Sequence, residues 1–308
     1  MAVEASPRPS SSEPEPADAS PSRARRLAGR SRDLLALPNV GWTVVFFLAP
    51  LGLLLVYSFG SVNLLTFQVQ FGWTLSNYSD IFQSLYLDPI VRSFVLSAAS
   101  TVACLLIGFP VALTIARASG RRQAALLLAI MIPFWTSFVV RTYGIYDVIS
   151  DNGPLYHLLH TLGIVHGYIH LLFTPLGIGI GITYTYLPLM VLPLFVALER
   201  IDPSLGEAAG DLGATPLRTL RRVTLPMALP GIIAGCILVA IPATGEYVIP
   251  QILGGGTTLM FGNVVSDQFL NLGNYPFGAA LAIALTVVLL AVLMFLRSRS
   301  YKAEAAVS

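Results

Sequence analysis

Six stretches of roughly 20 residues or more, almost free of charge, run through this chain: Val40 to about Gly60, Ser93–Ala116, Gln123–Val140, Leu171–Leu198, Met227–Val248 and Phe277–Leu296. A run of that length and polarity matches the hydrocarbon thickness of a bilayer when it is helical. With no water at that depth, every backbone N–H and C=O must be satisfied within the segment, which selects the α-helix. The pattern therefore predicts an all-α membrane protein with six transmembrane helices. Composition agrees: 11% of the residues are charged, against about 25% in soluble domains, and mean hydropathy is +0.73. A water-soluble fold is excluded.

The charges gather between the spans. Residues 1–33 are rich in Ser, Pro, Ala and Arg and cannot bury enough apolar surface to offset ordering, so they read as a disordered tail. Its basic end, from Arg23 to Arg32, resembles a signal-peptide start, but the apolar run after it is too long and no A-x-A-like cleavage site follows. Placing this tail in the cytoplasm puts 16 of the 18 basic residues on the inner side, leaving only Arg92 and Arg141 outside. The positive-inside rule supports that orientation. The organisation expected is a tail (1–33), a six-helix domain (34–300) with an inner loop at 199–226, and a cytoplasmic C-terminal tail (301–308).

Between the third and fourth spans, residues 142–170 read as an external loop with short helices and carry all four histidines. His157 and His160 stand at i, i+3, but no recognised pattern supplies a third metal ligand, so they read as polar loop residues. Cys104 and Cys236 lie in apolar runs and read as core. Gly177, Gly179 and Gly181 are spaced to let a neighbouring helix come close.

One polar island separates the fourth and fifth spans. Glu207–Pro226 reads as two short helices, with Asp202 as N-cap before Pro203, Gly213 as terminator, and Thr215 as N-cap before Pro216. Leu205, Ala208, Ala209 and Leu212 form a narrow stripe of mostly small apolar residues, suited to a partner that approaches the backbone. The outline and the basic Arg218, Arg221 and Arg222 also fit a DNA-reading helix-turn-helix, but membrane spans clamp the loop at both ends, so nucleic acid is not expected as a partner. The chain has no GxxxxGK[ST] phosphate loop and no nucleophile–base set, so it neither hydrolyses ATP nor catalyses chemistry alone.

Glu207-Ala208-Ala209, then Gly213, then Val223 and Leu225-Pro226, resemble at full spacing the EAA signature of ABC importer permeases, with Val223 where the family usually has Ile. The resemblance implies a type I importer permease fold in a bacterial inner membrane. It makes Glu207 the polar partner of a cytoplasmic ATPase, Ala208 and Ala209 the close-packing surface, Gly213 the sharp turn, and Leu225-Pro226 the restart of the fifth span. It also implies the assembly: a second homologous permease subunit, two ATP-binding subunits that hold the ATP, and an external substrate-binding protein, all around a chain bathed in lipid. No cofactor of its own is expected. Ile132–Ser137, Arg141–Tyr143, Gly245–Pro250 and Asn274–Gly278 look like the spermidine/putrescine permease family.

A polyamine calls for carboxylates spaced along a chain of ammonium groups and for aromatic faces. An ionisable residue at membrane depth is a functional candidate by default, which singles out Glu246. Tyr247, Trp135, Tyr143, Asp147 and Asp151 complete a candidate set near the outer mouth. Two alternatives stay open: the same architecture importing iron, sulfate or phosphonate, and a membrane sensor or scaffold that does not transport.

Overall fold

The computed structural model describes residues 38, 40–63, 68–164, 166–167 and 170–305, with side chains as far as Met294. The expected tail at 1–33 and residues 306–308 lie outside the described residues. The chain divides into two units, residues 1–53 and 54–308. The first contributes most of helix α1 (Val40–Ser58), whose middle takes a π-helical turn at Val44–Leu48 and whose Trp42 stacks on Phe46. α1 ends in the second unit, which holds everything else.

After a two-residue antiparallel pair (Ser61–Val62 with Val69–Gln70) come α2 (Ser76–Asp80), α3 (Ser84–Arg117), α4 (Gly120–Phe134), α5 (Phe138–Ile149) and α6 (Pro154–Thr161). They are followed by α7 (Pro175–Glu199), α8 (Pro203–Asp211), α9 (Pro216–Met227) and α10 (Leu229–Thr244). Last come α11 (Val248–Leu253), α12 (Phe261–Leu270) and α13 (Tyr275–Ala305). Among the described residues four helices (α1, α3, α7, α13) are each long and apolar enough to cross a membrane, or up to six spans if each of two bent pairs, α4 with α5–α6 and α9 with α10, is one span.

α3, α7 and α10 pack on one another as the centre of the second unit. α3 carries a polar stripe, Ser93, Ser97, Ser100 and Cys104, at helical spacing. Ser97 Oγ donates to Ala240 O (2.8 Å), Ser100 Oγ to Gly179 O (3.3 Å) and Cys104 Sγ to Thr183 O (3.3 Å), while Ser93 Oγ accepts from Phe261 N–H (2.6 Å). One face of α3 thus holds α10, α7 and α12 by hydrogen bonds, each worth about 0.6 kcal/mol in a membrane. Cys104 is fully buried, as a core residue should be, and Cys236 is half-buried.

The close approach between helices includes the glycines singled out from sequence and extends to two more. Gly231 and Gly235 of α10 lie against α7, where an added Cβ would come within 2.7 Å of Pro193 O or 2.6 Å of Met190 Sδ. All three of the predicted trio face other segments: Gly181 meets α11 most tightly, at Ile249 and Leu253, Gly179 lies against Leu96 and Ser100 of α3, and Gly177 faces the carbonyl of Leu171 and the side chain of Ile149 on α5.

The spans differ from the sequence expectation in four places. α3 starts at Ser84, nine residues before the predicted Ser93, and takes in Asp88, Pro89 and Arg92. Arg92 is accommodated there by donating to Leu259 O at 3.3 Å. The third span is not one helix over Gln123–Val140: the chain turns by 93° between Phe134 and Phe138. Pro133 has no N–H to continue the ladder, and its carbonyl, at the last turn of α4, accepts Thr136 N–H (3.3 Å), Thr136 Oγ1 (2.7 Å) and Arg141 Nη1 (3.4 Å). The guanidinium of Arg141 rests over the rings of Phe134 and Phe138. The fifth span restarts at Leu229–Pro230 after a 68° bend, so Leu225–Pro226 lies inside α9, and α10 stops at Thr244 rather than Val248. At the C-terminal end α13 continues to Ala305, through the start of the expected tail.

Candidate functional site

The loop between α7 and α10 is built by its caps. Asp202 Oδ1 accepts Ser204 N–H at 2.9 Å and starts α8, and this bond holds the exposed carboxyl below the usual carboxylate range. α8 ends in a Schellman motif: Gly213 N–H donates to Gly210 O (2.8 Å) and Ala214 N–H to Ala209 O (2.9 Å), with Gly213 at φ +77°. A left-handed φ of that kind is a glycine conformation. Thr215 Oγ1 then accepts Arg218 N–H at 3.4 Å and opens α9, which contains a π-helical turn at Leu220–Thr224.

This element is locally complete, yet its apolar side chains are uncovered. Leu212 is 89% exposed and Leu217 58%. Glu207, Ala208, Gly213, Leu225 and Pro226 are exposed and Ala209 is half-buried. Behind the loop lies a cavity of about 620 Å³, walled by the ends of α3 and α7 (Leu113, Arg117, Glu199) and by Glu207, Pro216 and Val223. Of the predicted coupling residues, Glu207 lines that cavity, and the others are exposed or half-buried along α8, the turn and α9.

The predicted substrate residues line neither the cavity behind the loop nor the one between α3 and α7. Trp135 is 74% exposed at the α4–α5 bend, and Tyr143 and Asp147 are exposed on α5. Asp151 pairs with His170 Nδ1 at 3.0 Å. His157 and His160 lie beside Tyr156 on α6.

Glu246 is in a different setting from these. It is 6% exposed and sits in the break between α10 and α11. Oε1 accepts the N–H groups of Tyr247 (3.0 Å), Val248 (2.9 Å) and Ile249 (3.3 Å), and Oε2 accepts the hydroxyl of Tyr186 on α7. Those N–H groups open a helix, where no i−4 carbonyl exists, and leaving each unsatisfied at membrane depth costs several kcal/mol. Across the same break, Asn263 of α12 donates to Tyr247 O (3.2 Å) and Gln251 Oε1 (3.1 Å). Tyr247 itself is 38% exposed. Sequence reasoning missed Tyr186 and Asn263. Tyr186 is one of two tyrosines in an apolar run, and Asn263 falls in a stretch that reads as a mixed loop with no motif, so neither carries a signal along the chain.

A second cavity, about 680 Å³, lies between α3 and α7 and is lined by small and apolar residues, among them Ala99, Ala103, Gly179 and Thr183.

Comparison with known proteins agrees with this architecture. The spermidine/putrescine transport system permease protein PotB of Escherichia coli (strain K12) is 39% identical over 250 residues, 81% of this chain and 90% of that protein. Its Haemophilus influenzae counterpart is 40% identical over 261 residues, 85% and 91% of the two chains. Among solved structures, a bacterial ABC transporter involved in the import of alginate matches with a TM-score of 0.69 at 19% identity, over 91% of this chain and 99% of that one, which is a likeness of fold. Residues 34–300 match the family described as binding-protein-dependent transport system inner membrane component, and the chain belongs to that family.

Proposed function

We propose that this chain is one membrane-spanning subunit of an ABC importer for polyamines, driven by separate ATPase subunits that dock on Glu207–Pro226. The observation that carries the reading is the α8–turn–α9 element. Both its helices are N-capped by side chains and α8 is closed by Gly213, yet it presents Leu212, Leu217 and Ala208 to no partner within the described residues. Such a surface is what a rigid lever needs in order to receive a partner. The clustering of Arg117, Arg121, Arg122, Arg200, Arg218, Arg221 and Arg222 around it supports a cytoplasmic location, with both termini inside. The small-residue groove between α3 and α7 suits burial against a second permease subunit. The names of the relatives support spermidine and putrescine as the solutes. Trp135, Tyr143 and Tyr247, with Asp147 and Asp151, supply the exposed aromatic and acidic groups for a polyamine path. Import also calls for an extracytoplasmic binding protein to deliver the solute.

The test is ATP hydrolysis by the reconstituted complex. Binding protein loaded with spermidine or putrescine is expected to stimulate it, and Glu207→Arg to lower copurification of the ATPase subunit while the permease still inserts. Stimulation by ferric iron, sulfate or a phosphonate instead of polyamines would replace the substrate. Equal copurification of the ATPase with Glu207→Arg would remove Glu207 from the docking surface.

A further inference from the structure

The helices on either side of the coupling loop meet again far from it. Tyr186 lies 13 residues before the end of α7 and Thr244 ends α10 15 residues after its start, so each point is about 20 Å along its helix from the loop at 1.5 Å per residue. At that distance the Tyr186 hydroxyl donates to Glu246. Between loop and tether, Gly231 and Gly235 press α10 onto α7 at Pro193, Ala197 and Met190, with no room for a Cβ. α7 and α10 therefore form one rigid arm. Glu246 fixes the break after α10 to that arm: Oε1 caps the first turn of α11 through three N–H groups, while Oε2 accepts from Tyr186 on α7.

We infer that Glu246 and Tyr186 are positioning residues: they hold the exposed ring of Tyr247 to the α7–α10 arm, so that movement of the coupling loop is carried to the pathway. All the described bonds of the Glu246 carboxylate are internal, which favours a positioning role over that of a substrate ligand. The inference rests on the permease reading above.

The two fail separately, because ATP-dependent spermidine uptake by the parental complex in proteoliposomes tests the permease reading first. Given that uptake, Tyr186→Phe removes one hydroxyl and leaves the α11 cap in place. It is expected to keep ATP hydrolysis within about twofold of parental while the spermidine imported per ATP falls at least fivefold. Glu246→Gln keeps a carbonyl oxygen for the three N–H groups and turns its amide toward Tyr186, so its KM for spermidine is expected to stay within about twofold of parental. A tenfold rise in KM for Glu246→Gln at unchanged kcat is the signature of a lost cation ligand and overturns the inference. So does parental import per ATP in Tyr186→Phe. An independent readout is thiol labelling of Tyr247→Cys in the assembled complex. Adding Tyr186→Phe is expected to change its rate severalfold, and an unchanged rate means that Tyr186 does not position this segment.

Discussion

Gly213 gives the sharpest handle on the coupling loop. Its φ of +77° and its N–H bond to Gly210 O close α8. An added Cβ meets no other atom there, so the cost of Gly213→Ala is backbone strain alone. For an L-residue in the left-handed region that cost is about 1–2 kcal/mol, which lowers the ratio of formed to unformed turn about 5- to 30-fold. A partner that binds only the formed turn then sees its apparent Kd rise by the fraction lost, so 30-fold is the ceiling and a locally stable turn gives less. Gly213→Asn, which tolerates this conformation, is expected between Gly and Ala. Gly213→Pro forces φ to about −65° and deletes the N–H, so it is expected to be worst. The assay is equilibrium binding of the purified ATPase subunit to the permease in nanodiscs, and the expected order of affinity is Gly, Asn, Ala, Pro. Binding by the Pro variant as tight as the parent, or by Ala tighter than Asn, refutes the claim that this turn presents the docking surface.

Gly231→Val puts a branched side chain against Pro193 O and Ala197 on the α7 backbone, and overpacking of this kind costs about 1–3 kcal/mol; a lower unfolding midpoint in detergent checks it. Ser97→Ala removes the donation to Ala240 O and the acceptor near Thr244 Oγ1, for a loss of about 0.6 kcal/mol per bond, measurable in the same assay. The Asp202 carboxyl is held below its unfolded value, so its cap is fully present above the ordinary carboxylate pKa and is lost as pH falls through the lower folded value; amide exchange at Ser204 is expected to report that loss, and Asp202→Asn to remove the pH dependence. Gly255 has φ +54° and faces the Phe173 ring, so Gly255→Ala is expected to loosen the turn that Phe173 N–H anchors through Leu253 O, seen as faster proteolysis of the α11–α12 connection.

The spans and the coupling loop could be read from sequence because both signals are local. Uncharged length marks a helix in lipid, and Asp202, Gly213 and Thr215 mark caps within a few residues of the backbone groups that they satisfy. The bends were not legible. Pro188 and Pro193 sit inside an unbroken α7, whereas α4 stops one residue after Pro133, where Thr136 and Arg141 from beyond the bend bond to the Pro133 carbonyl, so proline by itself does not mark a bend. The same holds for Glu246. A carboxylate in an apolar run marks a site worth examining, but its partner Tyr186 is 60 residues away in sequence, and only folding brings the two together. Glycine spacing gave part of the packing: Gly179 and Gly181 face α3 and α11, but the crossing of α10 on α7 goes through Gly231 and Gly235, which no motif marked.

The account stands most directly on uptake by the complete complex, this chain with its second permease subunit, two ATPase subunits and binding protein, in sealed proteoliposomes containing ATP. The expected result is accumulation of labelled spermidine that requires both ATP and the binding protein, is competed by unlabelled putrescine, and is lost in Gly213→Pro although that chain still inserts. Accumulation without ATP, or full accumulation with Gly213→Pro, would contradict a permease driven through this loop.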